Sequence, residues 1–313
     1  MRPGLCFVLA ILSAVSSAFS QPSGPALRVQ TLSEPAPVSP GQLMFSDTYR
    51  VVEVGPGKRL KLQANEAAPG GKPFFETIEL SKVGAAPMGD VIEISPTAPG
   101  RAIPEGYRLW TSAPRELVAL RVGDLDPLVR EALSLALDRT SLTQVLLQRR
   151  AEPAYTMLPG WLTGYAKLFV CEYNPAKAAN LLSTVRLSMT ELAYPADDPV
   201  LRAIAERIAV NARDANIPIR AVPGEGGVQI RRLTFHNSDP LSALSEMLGN
   251  EDRARMPDLQ SVLDAEKELL DSGTWMPVVH LSRTWAISPR VRVFREPPGA
   301  DLSFADLMPA TSP

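Results

Sequence analysis

One stretch of the chain, residues 187–222, limits the possible folds more than any other. A predicted strand at 187–194 is followed by Asp198-Pro199, which can cap and start a helix, and apolar residues then recur at steps of three and four through Ala212. A second short strand is predicted at 217–222. A strand, a helix and a strand in this order form a right-handed crossover between parallel strands. The fold class is therefore predicted to be α/β (mixed).

The elements around this unit change in character along the chain. Before it, alternating apolar residues predict strands at 49–54, 59–63, 74–80, 91–94 and 117–122. Beyond Gly123, cap residues and apolar periodicity predict helices that begin at Asp126, Thr140, Asn174, Asp198 and Asp258. Closing strands are predicted at 275–281, 284–287 and 291–294. The chain is thus predicted to be mostly β first, then α/β, with strands at the end.

The start of the chain has the pattern of an export signal. Arg2 precedes a short apolar run, and small residues lead to a predicted cleavage site after Ser20. The run is too short to span a bilayer, and no later stretch reaches the roughly 18 apolar residues that a membrane helix needs. We therefore predict a signal peptide at 1–20, a periplasmic or secreted protein, and no direct membrane insertion. Cys171 then remains as a single cysteine, which predicts no internal disulfide.

Composition excludes two broad classes of protein. An apolar share of 45% in 313 residues is enough for a buried core, which excludes disorder of the whole chain. The 32 Lys and Arg residues face 34 Asp and Glu residues, and no basic cluster is visible. A nucleic-acid partner is therefore not predicted, since phosphate binding needs clustered cations. Residues 21–45 are rich in proline and are predicted to form an extended leader with little regular structure.

No pattern of catalytic or metal-binding residues emerges. The chain has no Gly-x-Ser-x-Gly elbow, and its histidines, His236 and His280, have no cysteine or carboxylate at ligand spacing. Gly70-Gly71-Lys72 precedes a proline, which favours a turn over a phosphate loop. The sequence therefore predicts no catalytic residue, no metal and no cofactor, and an exported enzyme is the least favoured alternative.

Several fragments, in order, resemble the family 5 extracellular solute-binding proteins, which are peptide and nickel receptors of ABC importers. Residues 126–139, DPLVREALSLALDR, resemble the family's "vRqALsyAiDR" motif. Residues 49–54 and 71–73 look like its "GPYkv" strand and "GGKP" turn, and residues 157–182 look like its "lP…gy…ydp.kAk.LL" run. Each fragment is weak by itself, but the ordered combination is specific.

The resemblance implies a periplasmic-binding-protein-like clamshell, type II-like, whose two lobes close on a solute and deliver it to an ABC permease in the membrane. On this basis residues 46–122 plus 273–313 are assigned to a β-rich first lobe and residues 123–272 to an α/β lobe. The family segment that precedes the "GPYkv" strand has no counterpart here, so the first lobe is predicted to be truncated.

Seven residues are candidates for ligand contact at the predicted junction between the lobes: Trp110, Arg121, Tyr155, Trp161, Tyr165, His236 and Asp239. His236 stands where peptide-binding members of the family often carry an acid that pairs with the ligand's amino group, and a histidine supplies no fixed negative charge. The alternative for Asp239 is an N-cap of the following helix, and the alternative for the aromatic residues and Arg121 is packing.

Two functions are consistent with these observations. The first is binding of a peptide-like or other small solute without chemistry, as part of an ABC-type importer. The alternative is a degenerate binding-protein fold that acts as an exported interaction or scaffold module, because a truncated lobe would expose apolar cleft surface to a partner. A response of the protein's melting temperature to small solutes distinguishes the two.

Overall fold

The computed structural model describes residues 26–32, 37–44, 47–69, 71–84, 89–97, 103–165, 172–253, 261–293 and 307–310. Two mixed β-sheets and a set of helices make up this part of the chain, which confirms the predicted α/β class. The predicted signal peptide, the first residues of the leader and Cys171 lie outside the described residues.

The strands are β1 (Ala26–Thr31), β2 (Leu43–Met44), β3 (Tyr49–Gly55), β4 (Arg59–Ala64), β5 (Thr77–Lys82), β6 (Val91–Ile94), β7 (Arg108–Thr111), β8 (Glu116–Arg121), β9 (Ala151–Pro153), β10 (Thr190–Tyr194), β11 (Ile219–Pro223), β12 (Val228–Thr234), β13 (Trp275–Leu281), β14 (Thr284–Ile287), β15 (Val291–Val293) and β16 (Met308–Pro309). The α-helices are α1 (Pro127–Ala136), α2 (Arg139–Ser141), α3 (Gly160–Thr163), α4 (Pro175–Leu181), α5 (Pro199–Asp214), α6 (Pro240–Arg253) and α7 (Val262–Asp271). A 3-10 turn, Pro56–Lys58, joins β3 to β4, and a π turn, Leu142–Leu146, follows α2.

The large sheet has the strand order β2-β3-β4-β5-β1-β6-β14-β7. The predicted hairpin of β3 and β4 is present, and β1 pairs in parallel with both β5 and β6. Alternating residues along these strands are fully buried, as in Leu27 and Val29 of β1, and they form one apolar core with Tyr49 of β3. The prediction of an extended leader is wrong for β1, because its alternating apolar residues pair into the middle of this sheet.

The small sheet has the strand order β11-β10-β12-β8-β13-β9 and carries helices on both faces. The predicted crossover is present, since β10 and β11 are parallel and α5 connects them. Helices α1, α4 and α5 pack on one face, and α6 and α7 pack on the other. Strands β8 and β13 lie side by side near its centre, buried along almost their whole length.

The predicted lobe ranges need one correction. They place 117–122 and 275–281 in the β-rich lobe, whereas the structure pairs both strands within the small sheet. The physical reason is coverage: strands that are apolar on both faces need helices above and below, and the helices are found around the small sheet. The β-rich part of the described chain therefore consists of β1–β7 and β14, with the β15–β16 pair beside them.

Helix starts follow the predicted cap chemistry. The carboxylate of Asp126 accepts the N–H of Leu128 at 2.8 Å, and Asp198 accepts the N–H groups of Val200 and Leu201 at 3.0 Å each. Both residues precede a proline at the first position of the helix, where its missing N–H costs nothing. These caps fix where α1 and α5 begin, and the second of them also places a carboxylate at an edge of the small sheet.

Candidate functional site

The described chain passes between the two sheets twice, at neighbouring points. Residues 112–115 connect β7 to β8, and residues 282–283 connect β13 to β14. The Ser112 N–H donates to the Arg283 carbonyl at 2.9 Å, and the Arg283 N–H donates to the Ser112 hydroxyl at 3.0 Å. Both crossings therefore lie at one edge of the small sheet, where β8 begins and where β12 and β13 end. We call this the junction edge.

Charged side chains converge at the junction edge. Glu116, the first residue of β8, accepts from Arg232 of β12 at 2.6 Å and from Arg283 in the crossing at 2.9 Å. Arg232 also donates to both oxygens of Asp198, with its shortest contact at 2.8 Å. Glu93 of β6, in the large sheet, is close enough for its charge to interact with Arg283 and Glu116. These five residues are the junction charge cluster, and it includes side chains from both sheets.

The ionisation of the cluster follows from burial and from partner charges. Burial alone would raise the pKa of Glu116, but the guanidinium groups of Arg232 and Arg283 outweigh burial and hold that pKa below its usual value. Burial raises the pKa of Glu93, and the hydrogen bond from the Leu32 N–H at 2.8 Å offsets this only in part. Glu116 is therefore a fixed negative charge at neutral pH, held between two fixed positive charges.

Aromatic groups lie beside the same edge. The Trp161 indole N–H donates to the Pro114 carbonyl at 2.7 Å, which ties α3 to the first crossing. Its ring stacks on Phe235, with centroids 6.2 Å apart, and the Arg115 guanidinium lies 5.6 Å from its centroid. Trp161 nevertheless keeps 41% of its surface exposed. The junction edge thus presents an oriented aromatic face next to the crossing.

His236 and Asp239 lie in the turn between β12 and α6. Glu246 of α6 accepts the His236 backbone N–H at 2.9 Å and contacts the ring nitrogen Nδ1 at 2.5 Å. Burial would raise the pKa of Glu246, but the hydrogen bonds from the His236 backbone and ring outweigh it, so that pKa lies below its usual value. The turn therefore carries a carboxylate that the sequence comparison at His236 did not reveal.

Asp239 is exposed and has a structural role. Its carboxylate accepts the Ser242 N–H at 2.9 Å and its carbonyl accepts the Ala243 N–H, so that it caps α6. Hydrogen bonds from the hydroxyl and the N–H of Ser242 hold the pKa of Asp239 below its usual value. The geometry therefore supports the N-cap alternative for this residue.

Tyr165 and Trp110 are each engaged within the protein. The Tyr165 hydroxyl donates at 2.6 Å to Glu266, a fully buried carboxylate of α7 that also accepts the Leu158 N–H. Burial, followed by the bond to Glu266, raises the pKa of Tyr165. Trp110 lies on β7, an edge strand of the large sheet, opposite Trp285 of β14. Tyr165 therefore anchors the segment after α3, and Trp110 lies close to the crossing on the opposite sheet.

Arg121 and Tyr155 do not lie at the junction edge. Arg121 ends β8 opposite Trp275, at the end of the strand remote from the crossings. Tyr155 follows β9 and lines a separate cavity beside the first half of β13. The structure therefore places four predicted residues, Trp110, Trp161, His236 and Asp239, near the junction edge and places Arg121 and Tyr155 elsewhere.

Several residues of this edge were not predicted. No sequence motif distinguishes these residues, which are Glu116, Arg232, Arg283, Glu93 and Glu246. The one available signal is a charge inside an apolar strand, as at Arg231-Arg232 in β12 and at Glu116 before a run of buried residues. A buried charge needs a partner of opposite charge, so each of these positions predicts an ion pair. The sequence does not show which residue is the partner.

Two features are absent from the described residues. No group of three or more His, Cys, Asp or Glu side chains is arranged to hold a metal ion within them. No helix in the same part of the chain is long and apolar enough to cross a membrane. The junction edge combines a set of oriented charges with one exposed aromatic face.

The middle of the chain is similar to a known family of proteins. Residues 125–241 match the family model described as bacterial extracellular solute-binding proteins, family 5 middle. This region runs from just before α1 to the start of α6 and includes Asp198, Arg232 and His236. Over that region the chain is similar to this family, which confirms the resemblance predicted from the sequence. The family consists of binding proteins rather than enzymes, in agreement with the prediction of no catalysis.

Solved structures share the fold over most of the chain. NikA from Brucella suis, in complex with Fe(III)-EDTA, matches with a TM-score of 0.64 at 18% identity, over 84% of this chain and 68% of its own. The Escherichia coli murein tripeptide binding protein MppA matches with a TM-score of 0.67 at 16% identity, over 87% and 65%. The oligopeptide-binding protein AppA from Bacillus subtilis, in complex with a nonapeptide, matches with a TM-score of 0.63 at 16% identity, over 84% and 66%.

These matches concern architecture. The chain spans about two thirds of the length of the three proteins, and identities of 16–18% show a common fold alone. No curated protein sequence matches the chain.

Proposed function

We propose that this protein is the extracytoplasmic solute-binding component of an ABC-type importer, and that it binds a peptide-like or other small solute at the junction edge without chemical conversion. In this proposal the predicted signal peptide exports the chain to the periplasm or the exterior, and a membrane permease receives the solute. The family match over residues 125–241 supports the class of function. NikA, AppA and MppA bind metal complexes or peptides, which supports the range of solutes.

The observation that carries the proposal is the arrangement at the two crossings. Connections that pass side by side between two sheets allow the sheets to rotate toward each other, because only a few dihedral angles need to change. The charge cluster and the Trp161 ring are held at this place by contacts to both crossings. Arg232 and Arg283 keep 29% and 34% of their side-chain surface exposed, so a solute can still reach them.

Calorimetry and thermal unfolding test the proposal. We expect at least one member of a panel of short peptides, sugars and nickel-histidine complexes to raise the melting temperature, because a ligand that binds only the folded state stabilises it. The variant Trp161→Ala is expected to lower the affinity for that ligand by roughly tenfold, because the aromatic face is lost.

The matched control is Phe74→Ala, which removes an exposed ring from the segment before β5, remote from the crossings. We expect it to leave solute affinity unchanged. The proposal is wrong if no solute in the panel shifts the melting temperature, or if the two variants weaken binding equally.

A further inference from the structure

A cavity separate from the junction edge lies beside the first half of β13. Its volume is about 240 Å³, which corresponds to roughly eight water molecules at liquid density. That volume is below the usual range for drug-sized ligands and is comparable to a single amino acid. The lining residues that the argument uses are Arg130, Glu131, Arg139, Tyr155, Asp271 and Trp275.

The cavity exists because β9 is short. Strand β9 pairs only with Val279–Leu281, so the preceding part of β13, from Trp275 to Pro277, has no strand on that side in the described part of the chain. Pro277 suits such a position, since proline has no N–H to donate to a neighbouring strand. The space beside this segment is filled partly by side chains from α1 and α7, and the remainder is the cavity.

Arg139 forms a fixed positive group in the wall of the cavity. It is 4% exposed, and its Nε and Nη2 donate to the Pro277 carbonyl at 3.1 and 2.9 Å. The ring of Tyr155 lies 5.8 Å from its guanidinium carbon, within the range of a cation–π contact. A guanidinium held in this way is oriented before any ligand arrives, which reduces the entropy lost on binding a carboxylate.

A second arginine is positioned by a glycine. The Arg130 Nη1 donates to the Gly273 carbonyl at 3.2 Å, and Gly273 has a φ of +65°. A Cβ at this position would lie 2.7 Å from the Arg130 guanidinium carbon. Only glycine therefore permits both this backbone conformation and the approach of Arg130 to the wall of the cavity.

The charges of the lining have a definite order. Arg139 is buried and Arg130 is partly buried, whereas Glu131 and Asp271 are exposed at the rim. The rest of the wall is largely apolar and includes the rings of Tyr155 and Trp275. A ligand that matches this order has a carboxylate inside, an ammonium group toward the rim and an apolar body, and it carries no net charge.

From this geometry we propose that the cavity is a second ligand site, which binds a free amino acid with an apolar or aromatic side chain. The carboxylate contacts the guanidinium groups of Arg139 and Arg130, the ammonium group contacts Glu131 and Asp271, and the side chain packs against Tyr155 and Trp275. This site is separate from the proposed solute site, because the cavity lies beside the half of β13 that is remote from the crossings.

Isothermal titration of the full chain with L-phenylalanine and L-leucine tests the proposal. We expect saturable binding of both at one site per chain. The analogues 3-phenylpropionate, which lacks the ammonium group, and phenethylamine, which lacks the carboxylate, are each expected to bind roughly tenfold more weakly than L-phenylalanine, through loss of charge-assisted hydrogen bonds. Equal affinity of an analogue and L-phenylalanine, or no binding of either amino acid, would overturn the proposal.

Variants locate the binding. Tyr155→Ala removes one wall of the cavity, and Ala154→Leu is intended to fill part of its space. Each variant is expected to weaken the binding of L-phenylalanine by roughly tenfold or more. Asp271→Asn changes only an exposed rim charge, so it gives a test that does not depend on core packing, and we expect roughly tenfold weakening. The matched control Glu268→Gln, on the same helix but outside the cavity, is expected to have no effect.

Trp161→Ala separates this site from the junction edge. If Trp161→Ala weakens the binding of L-phenylalanine while Tyr155→Ala does not, the amino acid binds at the junction edge and the cavity proposal is wrong. If no peptide, sugar or nickel complex binds at the junction edge but L-phenylalanine still responds to Tyr155→Ala, the proposed function fails and the cavity proposal stands.

Discussion

Replacement of Glu116 by glutamine tests whether the junction charge cluster holds the two sheets together. Glu116 is 6% exposed and accepts two charge-assisted hydrogen bonds, from Arg232 at 2.6 Å and from Arg283 at 2.9 Å. Glutamine keeps one acceptor oxygen but turns an NH₂ group toward the other guanidinium. The variant therefore loses one hydrogen bond, weakens the other and leaves two positive charges with less compensation.

The size of the effect follows from these contacts. Breaking a buried ion pair costs about 3–5 kcal/mol, and a hydrogen bond to a charged group contributes about 1.5–3 kcal/mol. Arg232 keeps its contacts to Asp198, and both arginines can still reach water, which reduces the cost. We expect Glu116→Gln to lower the free energy of unfolding by about 2–3 kcal/mol at neutral pH.

The pH dependence supplies a second measurement. The pKa of Glu116 in the folded protein lies below the ordinary glutamate value of 4.5. Its contribution to stability is therefore complete above that ordinary value and is lost as the pH falls through the lower, folded-state pKa. The stability difference between the wild type and Glu116→Gln should be constant near neutral pH and should shrink in acid.

Urea unfolding followed by tryptophan fluorescence measures both effects. The matched control is Glu206→Gln, which removes the acceptor of an ion pair with Arg202 on the surface of α5, where both side chains are more than half exposed. We expect this control to change the free energy of unfolding much less than Glu116→Gln, because exposed ion pairs contribute little. Equal losses in the two variants, or a Glu116→Gln effect independent of pH, would refute the reasoning.

Three further predictions concern other groups of the site and core. Asp239→Ala should lower the melting temperature while Asp239→Asn largely preserves it, and neither should change solute affinity; a loss of affinity without a loss of stability would contradict the cap role. Burial lowers the pKa of His280 to about 4, so stability should fall as the pH drops from about 6.5 toward 4, and His280→Gln should reduce this dependence in acid titrations of unfolding. Tyr165→Phe, which removes a 2.6 Å bond to the buried Glu266, should lower the free energy of unfolding by about 1–3 kcal/mol in urea titrations, with the exposed Tyr173→Phe as an unaffected control.

The parts of the fold that could be predicted are those that local chemistry decides. The aspartate and proline at the starts of α1 and α5 specify a cap within a few residues. The crossover of β10, α5 and β11 follows from the spacing of apolar residues, which changes from a strand pattern to a helix pattern and back. Strand β12 was not predicted, because Arg231 and Arg232 interrupt its apolar pattern. The charge of Arg232 is compensated by Glu116 and Asp198, which are 116 and 34 residues away from it.

The candidate site was predicted less well because chain direction matters as much as residue type. Glu116 and Arg121 stand at the two ends of β8, and the strand rises by about 3.3 Å per residue, so the two side chains are separated by roughly 17 Å along it. Glu116 therefore meets the crossing and Arg121 cannot. Nothing in the sequence states which end of a strand faces the second sheet until its neighbours are known.

The charge at the turn after β12 could not be predicted from the sequence either. His236 stands at the position where peptide-binding members of the family often carry an acid, so the sequence indicates that the negative charge for a ligand's amino group is missing. In the folded chain, Glu246 lies in the second turn of α6 and contacts both the backbone and the ring of His236, at 2.9 and 2.5 Å. The hydrogen bonds hold the pKa of Glu246 below its usual value, so a carboxylate is present at the turn although residue 236 is not an acid. In the proposed binding role, the carboxylate of Glu246 is therefore the negative charge with which we expect an amino group at this turn to pair.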